Sequence, residues 1–128
     1  ANLTNTNLNG ANLTGANLTG ANLTDAKLSY ANLTDANLSE ANMSKTWLIE
    51  ADLINAEIAN ANLSNANLIG ADLTGTNLSS ANLSYTDLTY ANLSGTDLSF
   101  IDLIFARKNG TIFCDTTMPD GSVKKYSC

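Results

Sequence analysis

The chain has 128 residues, of which 44% are hydrophobic, 6% aromatic and 14% charged, with one Pro, no His and a formal net charge of −6. This length bounds it to one domain, because a second would be too small to sustain its own hydrophobic core. The missing histidines remove the commonest general base and metal ligand, and a pI near 4.2 argues against charge-driven binding to nucleic acid or an anionic membrane. No apolar run approaches the roughly 18 residues of a membrane span, so no membrane insertion is expected.

All nineteen Leu lie on one lattice of period five, from Leu3 to Leu103, with Met43 and Ile58 at the two remaining sites. Two residues before each centre stands Ala or Thr, with Ile101 as the single departure. Directly before the centre, Asn or Asp occupies all sites except Lys27, Trp47 and Glu57. Directly after it, Ser or Thr prevails, and Ile49, Ile54, Ile69 and Ile104 are the main exceptions.

Neither regular structure tolerates this period. In an α-helix, five residues advance by about 500°, so successive leucines would step round by roughly 140° and cover every face. In a strand, an odd period throws successive leucines to opposite faces. A chain that turns a corner in every pentad resolves both conflicts by aiming each central Leu inward, and the product is a solenoid with a leucine-filled bore. The Ala or Thr position also points inward, beside the corner where space is scarce. The flanking Asn, Asp, Ser and Thr point outward and suit turns.

Pentads such as Ala11-Asn12-Leu13-Thr14-Gly15 and Ala71-Asp72-Leu73-Thr74-Gly75 resemble the pentapeptide-repeat family, and the resemblance covers residues 1–105. It implies an all-β fold, a right-handed quadrilateral parallel β-helix with four pentads per coil. Twenty residues per coil make about five coils and, at ~4.8 Å per strand spacing, a rod of roughly 25 Å.

In chain order, Ala1 already stands in repeat register, so the first coil has no evident cap and offers an open edge for end-to-end association. The absent start Met points to a removed leader or a trimmed start. Residues twenty apart stack, and Asn2, Asn22, Asn42, Asn62 and Asn82 are expected to form an amide ladder that bonds coil to coil. The Asn-Leu-Thr and Asn-Leu-Ser triplets match glycosylation sequons formally, as a by-product of the repeat.

In the third and fourth coils, Trp47, Ile49, Ile54 and Ile69 form a candidate apolar patch for a protein partner. The alternative is structural: β-branched ladders favour strands, and Trp47 covers the stem of Lys27. Asp52 and Asp72 should stack about 5 Å apart, which resembles the carboxylate pair of a retaining glycosidase. A convex, solvated face lacks the enclosed site that catalysis needs, so no catalytic residue is assigned.

Residues 106–128 read as a C-terminal capping segment, to which Phe100, Ile101, Ile104, Phe105 and Phe113 would contribute by closing the bore. Residues 1–105 hold two basic and ten acidic residues, a net −8; residues 106–128 hold four basic and two acidic residues, a net +2. Met118-Pro119-Asp120-Gly121 supplies a turn. Cys114 and Cys128, without His, do not suggest zinc. They are either two reduced thiols or, as expected here, a disulfide worth on the order of 3 kcal/mol. The tail also resembles the disulfide-closed tails of cyanobacterial and plastid-lumen members of the family, which implies an oxidising compartment such as periplasm or thylakoid lumen.

These readings predict a non-enzymatic interaction scaffold with an unknown protein partner and no cofactor or metal. The alternative implied by the family is a DNA mimic that inhibits gyrase. A ~25 Å rod imitating B-DNA needs about 15 charges at one per ~1.7 Å, nearly twice the net charge of the repeat region. A third possibility, ice or carbohydrate binding, rests only on outward pairs such as Asn12 with Thr14 and Asn32 with Thr34.

Overall fold

A computed structural model describes residues 1–125 and Cys128; Tyr126 and Ser127 of the expected cap lie outside the described residues. The chain winds as a four-sided parallel β-helix in which the second residue of most pentads bridges the one twenty positions on. Asn2 bridges Asn22, Asn22 bridges Asn42, and the three other faces repeat the pattern through Lys27 and Trp47, Asn32 and Asp52, and Asn37 and Glu57.

Through residue 75 each pentad contributes the same set of hydrogen bonds, save that the first coil lacks the backward one. The central N–H donates forward to the next coil, as from Leu3 to the Asn22 carbonyl at 2.7 Å. The preceding N–H donates backward, as from Asn22 to the Ala1 carbonyl at 2.9 Å. At the corner, the fifth N–H donates forward and the next pentad's first N–H closes a turn onto the central carbonyl, as from Thr6 to Leu3 at 3.1 Å. Straight segment and corner are thus both satisfied within five residues.

The corner needs left-handed backbone at the fifth residue of every pentad from Asn5 to Phe100. Gly, Asn or Asp fills twelve of those twenty positions, the residue types that reach positive φ most cheaply. At Tyr30, Glu40, Lys45, Glu50 and Tyr90 the ladder on both sides holds a conformation the residue alone would avoid, whereas Ser80, Tyr85 and Phe100 adopt it without a forward ladder bond.

The bore is closely filled. From Ala21 onward the first and third pentad positions are almost all buried, and Met43 and Ile58 continue the leucine columns. Where Thr replaces Ala, the buried hydroxyl donates to the central carbonyl of the preceding pentad, as Thr46 does to Met43 at 2.7 Å and Thr96 to Leu93 at 2.7 Å. Thr is therefore tolerated because it meets its own hydrogen-bond requirement without reaching across the bore. In the first coil Leu3, Leu8, Leu13 and Leu18 are only half-buried.

The ladder does not end with the Ala-Leu motif. Asp87 bridges Arg107, Asn92 bridges Ile112 and Asp97 bridges Thr117, so the sixth coil continues past Leu103 although its later pentads have lost their leucines. It ends in an antiparallel hairpin of β1 (Thr116–Thr117) and β2 (Val123–Lys124). The turn between them contains Pro119 and is closed by Met118 N–H donating to the Ser122 carbonyl at 2.7 Å. Cys114 and Cys128 are joined by a disulfide with Cα atoms 4.9 Å apart. Among the described residues, no ladder hydrogen bond joins residues 76–85 to residues 97–105, leaving two adjacent faces of this last junction unzipped.

Candidate interaction surfaces

The outward Asn columns do not bond from coil to coil as the stacking suggests. Each amide oxygen instead accepts from the backbone N–H two residues on in its own pentad, as Asn22 Oδ1 does from Thr24 at 3.1 Å. Many also accept the hydroxyl of that residue, as from Thr24 Oγ1 at 2.7 Å. This Asx turn sets the corner locally and explains why Asp serves equally well, since an oxygen acceptor is all it requires. Some side chains do reach a neighbouring coil: Asn77 Nδ2 donates to Glu57 Oε2 at 2.8 Å, Asn9 Oδ1 accepts from Ser29 N–H at 3.0 Å, and the Thr111 and Thr116 hydroxyls donate to the Leu88 and Leu93 carbonyls at 2.7 Å.

Trp47 lies on a flat face, 52% exposed, bridging Lys27 on one side and Asn67 on the other. The Lys27 ammonium sits 5.9 Å from the Trp47 ring centroid, so the indole does cover its neighbour. Ile49 and Ile69 stack one coil apart beside it, with Ile54 on the adjoining face, and all three are half-buried. Asp52 and Asp72 are stacked bridge partners; each accepts within its own pentad, from Ile54 and Thr74 respectively.

Sequence reasoning missed the corner residues. Tyr30, Tyr85, Tyr90 and Phe100 occupy fifth positions, where positive φ turns the side chain away from the bore. Tyr85 stacks on Phe105 one coil on, with ring centroids 5.0 Å apart. A period-five count of the fifth column would have shown this aromatic pair. The expected closure of the bore is accordingly only partial. Ile101 and Phe113 are buried, but Phe100 is fully exposed, Ile104 is 76% exposed and Phe105 is 58% exposed, because they fall on fourth and fifth positions.

Two cavities adjoin the unzipped junction. One of about 260 Å³ is lined by Ser79, Ser80, Asp97, Ser99 and Phe100. The other, of about 430 Å³, lies under the terminal hairpin. The Ser99 hydroxyl, donating at 2.5 Å, and then the Ser99 backbone N–H hold the Asp97 carboxyl below its ordinary value of 3.8. Ser122 does the same to Asp120, with a smaller contribution from Lys124. Among the described residues no group of three His, Cys, Asp or Glu converges as metal ligands, and no helix is long and apolar enough to cross a membrane.

The model of the family of pentapeptide repeats matches residues 1–35, 16–53, 31–68 and 61–99. Among solved structures, the chain is 33% identical to alr5209, a pentapeptide repeat protein from Nostoc PCC 7120, covering 79% of this chain and 83% of that one with a TM-score of 0.66. It is 30% identical to HetL of Nostoc sp. strain PCC 7120, a pentapeptide repeat protein involved in heterocyst differentiation regulation, over 96% of this chain and 68% of that one, with a TM-score of 0.41. QnrB1, a plasmid-mediated fluoroquinolone resistance protein, shares the fold at 21% identity and a TM-score of 0.62; the match covers 84% of this chain and 60% of QnrB1. A search of curated proteins found no match. With its i to i+20 ladder, four faces and period-five bore, the chain belongs to the pentapeptide-repeat family, and its fold is the right-handed quadrilateral β-helix of that family.

Proposed function

We propose that the protein is a non-enzymatic scaffold whose rigid rod presents an outward face to a protein partner. The observation that carries this reading is Trp47, a large aromatic in an outward column otherwise held by polar residues such as Lys27 and Asn67, exposed across half its surface. Ile49 and Ile69 extend the patch along that face and Ile54 takes it round a corner. Such a surface suits a partner with an apolar ridge, because flat aromatic and β-branched area is desolvated at little entropic cost. Affinity capture from the source organism's extract, comparing wild type with Trp47→Ser/Ile49→Ser, tests it: loss of a specific partner is expected, and an unchanged set of partners rejects the patch.

Residues 106–128 serve in this reading as a cap over the bore, and the disulfide supports residence in an oxidising compartment such as periplasm or thylakoid lumen. Gyrase inhibition by DNA mimicry is the second reading, favoured by the fold shared with QnrB1. The outward columns count against it, being mainly Asn whose oxygens are engaged in turns. A supercoiling assay decides, with inhibition at low micromolar protein reversing the ranking.

A further inference from the structure

The seam between residues 76–85 and 97–105 leaves unpaired the main-chain groups that the coils below pair throughout. There the third and fifth N–H groups of each pentad donate forward, as from Ile58 to the Asn77 carbonyl and from Asn60 to the Ser79 carbonyl, both at 2.8 Å. Among the described residues, their counterparts at Leu78, Ser80, Leu83 and Tyr85 donate to nothing in the protein, and neither do the N–H groups of Asp97 and Asp102. The carbonyls of Asp97 and Ser99, which Leu78 and Ser80 would have met, accept nothing. Water or a guest must serve these groups, since a main-chain donor or acceptor kept from both is destabilising.

The 260 Å³ cavity lies on this seam, lined by Ser79, Ser80, Asp97, Ser99 and Phe100. It is smaller than the roughly 300 Å³ at which sites for drug-sized ligands begin, and holds about nine waters' worth of space. Its lining residues carry two of the unpaired N–H groups, at Ser80 and Asp97, and both unpaired carbonyls. The Ser79 and Ser99 hydroxyls donate to Asn77 Oδ1 and Asp97 Oδ1, which leaves their own oxygens as acceptors. Asp97 Oδ2 has no hydrogen-bond partner among the described residues. Phe100 is fully exposed and supplies the one aromatic ring of the lining.

We propose that this cavity binds a small neutral polyhydroxyl compound, a monosaccharide or a polyol of similar size. Each hydroxyl both donates and accepts, so a pair on adjacent carbons can serve an unpaired N–H and an unpaired carbonyl together. The Asp97 carboxylate accepts a hydroxyl proton in a charge-assisted bond and repels an anionic guest. The Phe100 ring offers an apolar face to the C–H side of a pyranose. An extended peptide would also match unpaired strand edges. The Tyr85 and Phe105 ring centroids, however, lie 5.0 Å apart at the next corner. That is about one strand spacing of ~4.8 Å, which leaves no room to pass a further strand along the seam. The site is independent of the Trp47 patch, and either can fail without the other.

The test is an amide NMR titration of the full disulfide-bonded chain with glucose, galactose, mannose and xylose, alongside cyclohexanol as a ring of similar size with one hydroxyl. Expected for at least one sugar is a saturable shift confined to amides around residues 78–80 and 97–100, with a Kd on the order of 1 mM, as suits so small a guest. Hydrogen exchange at Leu78 and Ser80 should slow at saturation, and cyclohexanol should bind at least about tenfold more weakly. Phe100→Gly removes the ring from an exposed corner that Gly20 holds in the first coil at φ 67°, so folding is preserved. It should weaken the sugar about tenfold while leaving the melting transition in place. Asp97→Asn keeps the oxygen acceptor of the turn and should weaken it less, by about threefold. No saturable shift at about 50 mM of any of the four sugars, equal affinity for cyclohexanol, or unchanged affinity in a folded Phe100→Gly would each overturn the proposal. So would amides at Leu78 and Ser80 that are already protected in the free protein, since the seam would then be zipped.

Discussion

The recurring unit of this molecule is the Asx turn. Asn22 Oδ1 takes both the N–H and the hydroxyl of Thr24, so Asn22→Ala removes two acceptor contacts at one corner. The expected cost is about 1 kcal/mol by urea denaturation. Asn22→Asp keeps the oxygen and should be near neutral, as Asp72 and Asp87 show by making the same turn. At Asp97 the turn also shifts a titration. Its folded carboxyl lies below 3.8 because Ser99 donates to the ionised form. The stabilisation is therefore present above the unfolded value and lost as pH falls through the folded one. In a carbon NMR titration, Ser99→Ala should move Asp97 back up toward 3.8. The acid-induced fall in denaturation midpoint should be smaller in Asp97→Asn.

At the scale of the coil, the energy lies in the leucine columns. Leu63 is fully buried between neighbours in the coils above and below, so Leu63→Ala leaves a void in a filled bore and should cost about 2–5 kcal/mol. Leu3→Ala should cost less, because Leu3 is only half-buried in the first coil. In a solenoid each coil contacts only its neighbours, so the damage should stay local. Hydrogen exchange should show lost protection around residues 43–83 in Leu63→Ala and little change in the sixth coil. The unzipped junction between residues 76–85 and 97–105 should exchange fastest of the inter-coil seams in the wild type, since its N–H groups make no ladder bonds.

For the whole molecule, the disulfide ties the end of the chain back to the sixth coil across a separation of 14 residues. Reduction should destabilise this end by about 3 kcal/mol, the entropy released by opening a loop of that size. Thermal melts with and without a dithiol reductant should separate an early transition of the terminal coil from a later one of the repeats. A single transition that reduction does not move would show that the hairpin and the Phe113 packing hold the end unaided. Mass measurement under non-reducing conditions should find the chain two hydrogens lighter than after reduction.

Much of the architecture is written in the period. A spacing of five fits neither helix nor strand, so Leu3 to Leu103 had to face a common interior through repeated corners, and the family resemblance supplied the four-sided coil. The candidate surfaces were less legible. Trp47 stood out as an exception in its column, whereas the aromatic corners did not, because the outward turn of Tyr85 and Tyr90 follows from a positive φ that no residue type enforces. The Asn ladder was misread for a related reason: stacking aligns the amides from coil to coil, but each oxygen accepts from the N–H of its own turn. The continuation of the sixth coil beyond its single leucine, the open seam beside it and the cavity beneath the hairpin depend on contacts between residues twenty or more apart. Period and composition specify the repeating unit, but how a solenoid ends depends on which of these long-range pairings the last irregular residues can still make.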